Sequence, residues 1–169
     1  MEVQNSLDDA DSLKLLISEK NPDCKYGIDN LLTNPPFGAS GKITNTSILS
    51  QYKLGHKWIE KGKQYIVTDT LQSGQSSEIL FVEQCLNLLK ENGKMAIVLP
   101  NGHFENPSLN YLRQFIKTNS KILGIVTLPQ ETFIPYGTGI KTSLLFIQKK
   151  NHDFSEEDYN IFFGKITKL

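Results

Sequence analysis

Four consecutive residues, Asn34-Pro35-Pro36-Phe37, carry the strongest chemical signal in the chain. The Asn34 side-chain oxygen and the Pro35 backbone carbonyl are both hydrogen-bond acceptors. The prolines restrict φ and remove backbone donors, so these acceptors are held in place before a substrate arrives. Such a pair suits an amine whose lone pair is delocalised into a ring, the exocyclic amine of adenine being one. It takes both amine hydrogens and helps most as positive charge grows on nitrogen during attack. Phe37 offers a flat face for a base withdrawn from a duplex. Stacking is worth about 1–3 kcal/mol, so it offsets extrusion, which has a cost of similar size, only in part. The tetrapeptide alone leaves a plainer account open, a strand-ending turn with a core aromatic.

The elements around the turn decide its meaning. Ile28 to Thr33 is a short apolar run, read as a buried strand stopped by the two prolines. In an open α/β sheet, ligands bind beyond the C-terminal ends of strands, where this turn falls. Residues 12 to 20 suit a short helix that Asn21-Pro22 ends. Residues 38 to 77 lack a firm apolar period and read as a long, flexible, lysine-bearing loop. A helix over Leu49 to Lys61 would place Leu54 and Trp58 on one face, with Gly55 weakening it. From Ser76-Ser77-Glu78 a helix begins, with Ile79, Val82, Leu86 and Leu89 on one face and Cys85 beside them. Asn92-Gly93 is its expected stop. Lys94 to Leu99 is a strand. Asn106 caps a second helix with Pro107 at its first position, and Leu109, Leu112, Phe115 and Ile116 give that helix a packing face. Ile122 to Leu128 and Thr142 to Gln148 are two further strands. The last follows its predecessor without a helix, which predicts antiparallel addition. The fold class is α/β, with a sheet covered by helices on both faces.

Composition narrows the rest. The chain has 169 residues, 38% of them apolar, enough for one domain with a sizeable core. Its 18 basic and 18 acidic residues cancel, which excludes a uniformly basic nucleic-acid binder but not a local patch. Lys42, Lys53, Lys57, Lys61 and Lys63 face only Glu60 between Gly38 and Tyr65. Lys42, Lys57 and Lys61 are candidate contacts to DNA phosphates, with a solvated surface as the alternative. Cys24 and Cys85 stand far apart and outside any metal-ligand spacing, so no metal is expected. Cys85 reads as a buried small hydrophobe, and a reducing compartment follows from such cysteine use. No apolar run reaches the roughly 18 residues of a membrane span, and the acidic start is unlike a signal peptide; a cytoplasmic protein is expected. His56 and His103 read as loop residues without an acidic partner, and His152 as a surface residue.

The sequence resembles the adenine-specific DNA methyltransferases, and most closely the modification subunit of type I restriction systems. The likeness rests on Asp29-Asn30-Leu31-Leu32-Thr33-Asn34-Pro35-Pro36-Phe37-Gly38, on the block Glu78 to Leu86, on Gly93 to Gly102, and on Leu128-Pro129, Phe133, Gly137-Thr138 and Ile140 to Phe146. It implies a Rossmann-like S-adenosylmethionine-dependent fold and transfer of a methyl group to the N6 amine of a flipped adenine. Asn34 and Pro35 would then hold the amine within the site formed with Pro36, and Phe37 would stack on the base. Asp11 resembles the acidic residue that contacts the cofactor's adenine, with helix capping as the alternative. Phe133 or Tyr136 would serve as a second aromatic wall, unless each is a core or loop aromatic.

The family's Gly-rich loop has no counterpart before Asn34, where Gly27 is the sole glycine. The expectation is therefore a partial fold, with the central and C-terminal strands present and the N-terminal cofactor-binding strands absent. Residues 1–150 would form this partial catalytic domain, and 151–169 an acidic turn and C-terminal extension. Such a piece is expected to self-associate or to pair with the N-terminal methyltransferase portion. In the full system it would act on DNA beside a specificity subunit and a restriction subunit. S-adenosylmethionine binding by this chain alone is not expected. Two other functions fit the turn: methylation of RNA or of a protein glutamine, and a non-catalytic DNA-binding or structural remnant.

Overall fold

The computed structural model describes residues 7, 10–24, 27–36, 42–151 and 158–167. Five strands form the central sheet: β1 (Ile28–Thr33), β6 (Leu89–Pro100), β8 (Thr142–Lys149), β7 (Ser120–Thr127) and β9 (Phe162–Lys165), in that spatial order. β1 runs parallel to β6, with Thr33 beside Ile97. β8 inserts antiparallel between β6 and β7, as expected from the missing helix before it. The apolar run Met95 to Leu99 is buried throughout because β6 has neighbours on both edges and helices packed against it.

α3 (Ser77–Leu88) and α5 (Asn110–Asn119) are the crossovers β1-to-β6 and β6-to-β7. Ten of the twelve α3 residues are buried, which makes α3 a central helix rather than a surface one. Tyr111, Leu112, Phe115 and Ile116 of α5 join Met95, Ile97, Leu99, Leu145 and Ile147 in one core. Asn106 caps the turn Pro107–Leu109 by accepting from the Ser108 amide at 3.0 Å, and α5 follows directly. α1 (Ala10–Lys20) packs against α3. Among the described residues no helix is long and apolar enough to cross a membrane, and no cluster of three His, Cys, Asp or Glu side chains could hold a metal ion.

The segment read as a loop is built. Its ends are held together by β2 (Lys42–Ile43) and β5 (Gln75–Ser76), paired antiparallel with Lys42 opposite Ser76. Between them lie α2 (Thr46–Leu49), capped by Asn45, and a hairpin of β3 (His56–Lys61) and β4 (Gln64–Leu71). The expected helix over Leu49 to Lys61 is therefore wrong. Lys53–Gly55 is a 3-10 turn, and His56–Lys61 is a strand whose Trp58 ring lies against α5. Trp58 stacks on Tyr111 with centroids 6.0 Å apart and meets Phe115 edge-on at 6.2 Å. Gln114 of α5 completes the seat, accepting from the Tyr65 amide and donating to its carbonyl, both at 2.7 Å.

Two further departures concern the end of α3 and the C-terminal strand. α3 ends at Leu88, and Asn92-Gly93 lies inside β6, with Asn92 at φ 62° in a left-handed kink. The register shift between β1 and β6 falls at this kink. A Cβ on Gly93 would come within 2.9 Å of the Ile28 and Lys90 carbonyl oxygens, so the strands approach too closely for a side chain. At the C-terminal end, β9 pairs parallel with β7 and extends the sheet. The acidic turn expected just before it lies mostly outside the described residues.

β1 is an outer strand of this sheet. Its Leu32 side chain is 83% exposed, and Leu15 of α1 is 61% exposed.

Candidate functional site

The parallel pairing of β1 and β6 directs both C-terminal ends to the same side of the sheet. Leaving β1, the chain enters Asn34-Pro35-Pro36. Pro35 is buried, while Asn34 and Pro36 are exposed. The turn is tied from behind by Ser77, the first residue of α3, whose Oγ donates to the Pro36 carbonyl at 2.9 Å. Phe37 lies outside the described residues. Where β6 ends, Asn101 leads into the short helix α4 (Gly102–Glu105).

A cleft of about 530 Å³ opens near the start of α3 and the end of β6, lined by Lys42, Ser76, Glu78, Pro100, His103 and Ile140 among others; Asn34, Pro35 and Pro36 do not line it. Lys42 reaches it over Gly74, where a Cβ would sit 2.5 Å from the lysine Cε. Glu78 and His103, both buried, face each other across its floor with Oε1 and Nε2 3.9 Å apart. Desolvation raises the Glu78 carboxyl above its ordinary range, against smaller opposing effects of the Glu78 backbone amide and the Ser77 hydroxyl. Desolvation likewise lowers the His103 imidazole, against the hydrogen bond to the Pro100 carbonyl. Both effects favour neutral side chains.

This corrects the sequence reading of His103. An acidic partner exists, 25 residues earlier in the chain, and only the α3-to-β6 crossover brings it near. No spacing rule would have found it. The Glu78 side of the pair was visible as part of a family block, but without a role.

The other candidates are dispersed. Lys42 lines the cleft, whereas Lys57 and Lys61 are exposed on β3 of the hairpin and do not line it. Asp11 is exposed in the first turn of α1 and lines neither of the two clefts at the strand ends. Phe133 and Tyr136 lie on the turn Gln130–Tyr136 with ring centroids 6.4 Å apart; Phe133 is half-buried and Tyr136 is exposed. A second cleft of about 500 Å³, lined by Asn101, Thr127, Pro129, Lys141 and Lys165 among others, opens beyond β6 and β7.

The residues fit a methyl-donor cofactor only in part. The Asn34 turn stands at the strand end where a substrate amine would meet such a donor. No glycine-rich strand-to-helix loop occurs among the described residues before β1, and Asp11 lies outside the two clefts.

Known proteins share both sequence and fold with the chain. The Escherichia coli type I restriction enzyme EcoEI methylase subunit is 28% identical over 123 residues, covering 72% of this chain and 21% of that protein. The chain thus spans about a fifth of this relative's length. Among solved structures, a Listeria monocytogenes protein assigned as a class I S-adenosylmethionine-dependent methyltransferase matches with a TM-score of 0.63 at 19% identity, over 84% of this chain and 38% of that one. A Vibrio vulnificus protein assigned as the modification subunit of a type I restriction enzyme matches with a TM-score of 0.61 at 21% identity, over 98% of this chain and 29% of that one. These structural likenesses establish the fold, a partial Rossmann-like methyltransferase sheet with an antiparallel inserted strand. The family model for N-6 DNA Methylase matches residues 4–168, and the chain belongs to that family.

Proposed function

We propose that this chain supplies the target-base side of an adenine-specific DNA methyltransferase of a type I restriction-modification system. The observation that carries the reading is the Asn34-Pro35-Pro36 turn at the C-terminal end of β1, held from α3 by Ser77, in a member of the N-6 DNA methylase family. The Asn34 oxygen and the Pro35 carbonyl accept the two hydrogens of the adenine N6 amine, and Phe37 stacks on the flipped base. S-adenosylmethionine supplies the methyl group when bound. With the methyl group passing from the donor's sulfonium sulfur, which would leave as a neutral thioether, nitrogen would gain positive charge that the two acceptors stabilise and would return to neutrality by losing a proton to solvent.

The direct test is methyl transfer from labelled S-adenosylmethionine to duplex DNA, by the chain alone and with the complementary methyltransferase portion added. Label on adenine N6 supports the reading. Label on RNA or a protein glutamine instead, under the same conditions, overturns it in favour of the alternative substrates, which present the same kind of conjugated nitrogen.

Lys42, which lines the cleft, would meet a phosphate there, and Lys57 and Lys61, exposed on the hairpin, would extend the basic surface. Removing all three charges is expected to reduce the slope of log binding constant against log salt by about 0.9 for each phosphate no longer neutralised. An unchanged slope in a salt titration would exclude these lysines from the DNA interface.

Among the described residues no strand pairs with the outer edge of β1, which carries an exposed Leu32. We assign this edge to pairing with a complementary methyltransferase portion or a second copy of the chain. Sedimentation velocity is expected to show self-association or binding of the added portion. A well-folded monomer that ignores that portion would remove the assignment. DNA specificity and cleavage belong, in this reading, to separate subunits of the assembly.

A further inference from the structure

The turn that would hold the substrate amine is gripped by a buried polar array. Ser77 Oγ is 2.9 Å from the Pro36 carbonyl and 3.5 Å from Glu78 Oε2. A serine hydroxyl has one proton, so it donates to one of these acceptors at a time. On the far side of Glu78, His103 Nδ1 lies 3.2 Å from the Pro100 carbonyl. A carbonyl only accepts, which fixes the proton on Nδ1 and leaves Nε2 aimed at Glu78. Nε2 is fully buried with no hydrogen-bond partner among the described residues. An imidazole lone pair facing a carboxylate oxygen in a buried site is unfavourable unless a proton lies between them.

From this geometry we infer that Ser77, Glu78 and His103 are positioning residues for the Asn34-Pro35-Pro36 turn, in which a proton held on the Glu78 carboxyl, 3.9 Å from the bare His103 Nε2, frees the Ser77 hydroxyl to hold the Pro36 carbonyl. When that proton leaves, Glu78 becomes a full carboxylate and draws the Ser77 hydroxyl away from Pro36. The turn then loses its tie to α3, and the two amine acceptors lose their preorganisation. The direction of both perturbed side chains agrees with this, since burial opposes a net charge on the pair.

Lys42 of β2 lines the same cleft, and Arg113 of α5 donates to the His103 and Asn106 carbonyls at 3.0 and 2.9 Å. Glu105, on α4 with His103, is exposed.

The role in catalysis rests on the proposed methyltransferase reading, whereas the array itself is testable without activity. In nitrogen-15 histidine spectra of the chain, His103 is expected to carry its proton on Nδ1 and to show a step as rising pH takes the proton from Glu78 beside it. The near-isosteric Glu78→Gln should abolish that step, because an amide does not titrate. A proton resting on Nε2 with Nδ1 bare, or an identical step in Glu78→Gln, overturns the array. The Asn34 side-chain amide signal should move in Ser77→Ala and return in Ser77→Thr; an unmoved signal in a folded Ser77→Ala overturns the tie to the turn. In a preparation that methylates DNA, Ser77→Ala should lower kcat about tenfold, the worth of one hydrogen bond, with the KM for S-adenosylmethionine unchanged. Glu78→Gln should flatten the limb of the pH–rate profile on which the rate falls as Glu78 loses its proton. An unchanged limb overturns the coupling. Absence of methylation in every preparation would sink the functional reading and leave the spectroscopic arms to decide the array.

Discussion

Replacing Asn34 with Ala is expected to lower methyl transfer to adenine by about 100- to 1,000-fold, the usual cost of removing one preorganised polar group aimed at developing charge. The fold should survive, because Asn34 is exposed beyond the end of β1 and the turn's tie to α3 runs through the Pro36 carbonyl and Ser77 instead. The loss should appear in kcat. The acceptor matters most when nitrogen becomes tetrahedral and positive, so ground-state binding of DNA and cofactor changes little. Asn34→Asp offers a sharper comparison. It keeps an oxygen at the same place and puts a negative charge beside a nitrogen that turns positive, so its loss should be much smaller than that of alanine. Single-turnover methylation of a duplex by both variants and the parent decides the matter. If alanine matches the parent in a preparation that methylates, Asn34 is a strand-ending residue and the substrate amine is held elsewhere.

The site was legible in the sequence only where its chemistry is local. Asn34 and the prolines proposed to hold the amine are adjacent along the chain, so the order of residues already specifies the turn. Ser77 belongs to the same site but meets Pro36 from 41 positions further along the chain, and His103 meets Glu78 across a helix and a strand. Such pairings are products of the β1-α3-β6 crossover, and nothing in residue type announces them. The strands of the main sheet were readable for the opposite reason. β6 and β8 are buried strands and therefore carry near-continuous apolar runs that stand out at any register.

The hairpin shows why the segment 38–77 was harder. Only Trp58, Tyr65, Thr68 and Leu71 are shielded beyond its first residue, and the remaining positions of β3 and β4 are exposed. Its apolar face is built for one helix, not for a core, so too few positions are constrained to reveal a period of two. Leu54 and Trp58 lie four apart and suggested a helix. They in fact belong to a 3-10 turn and a strand, with Leu54 in the core and Trp58 on α5. β9 escaped for a related reason, since a four-residue edge strand carries little pattern of its own.

Gly55→Ala is expected to be the most damaging small substitution in the fold, and it tests the hairpin directly. Gly55 is buried at the joint between the 3-10 turn and β3, and a Cβ there would lie 2.1 Å from the Leu49 carbonyl oxygen and 2.8 Å from its carbonyl carbon. Those are backbone atoms, so no rotamer change relieves the overlap. Either α2 or the start of β3 must move. The joint is also braced by Glu83 of α3, whose carboxylate accepts from the Lys53 and Leu54 amides at 2.9 and 2.8 Å. A displaced turn would strain these bonds and leave buried groups poorly paired. The cost should reach the upper end of overpacking changes, about 3 kcal/mol, equivalent to a fall in melting temperature of roughly 6–12 °C for a chain of this size. Trp58 is the only tryptophan in the chain, and it rests on Tyr111 and Phe115, so its emission reports whether the hairpin remains seated on α5. Loss of stability with a red-shifted Trp58 would show that the hairpin has lifted. An alanine variant with unchanged melting and emission would mean that the backbone does not pass so close to Leu49, and the joint between α2 and β3 would need a different path.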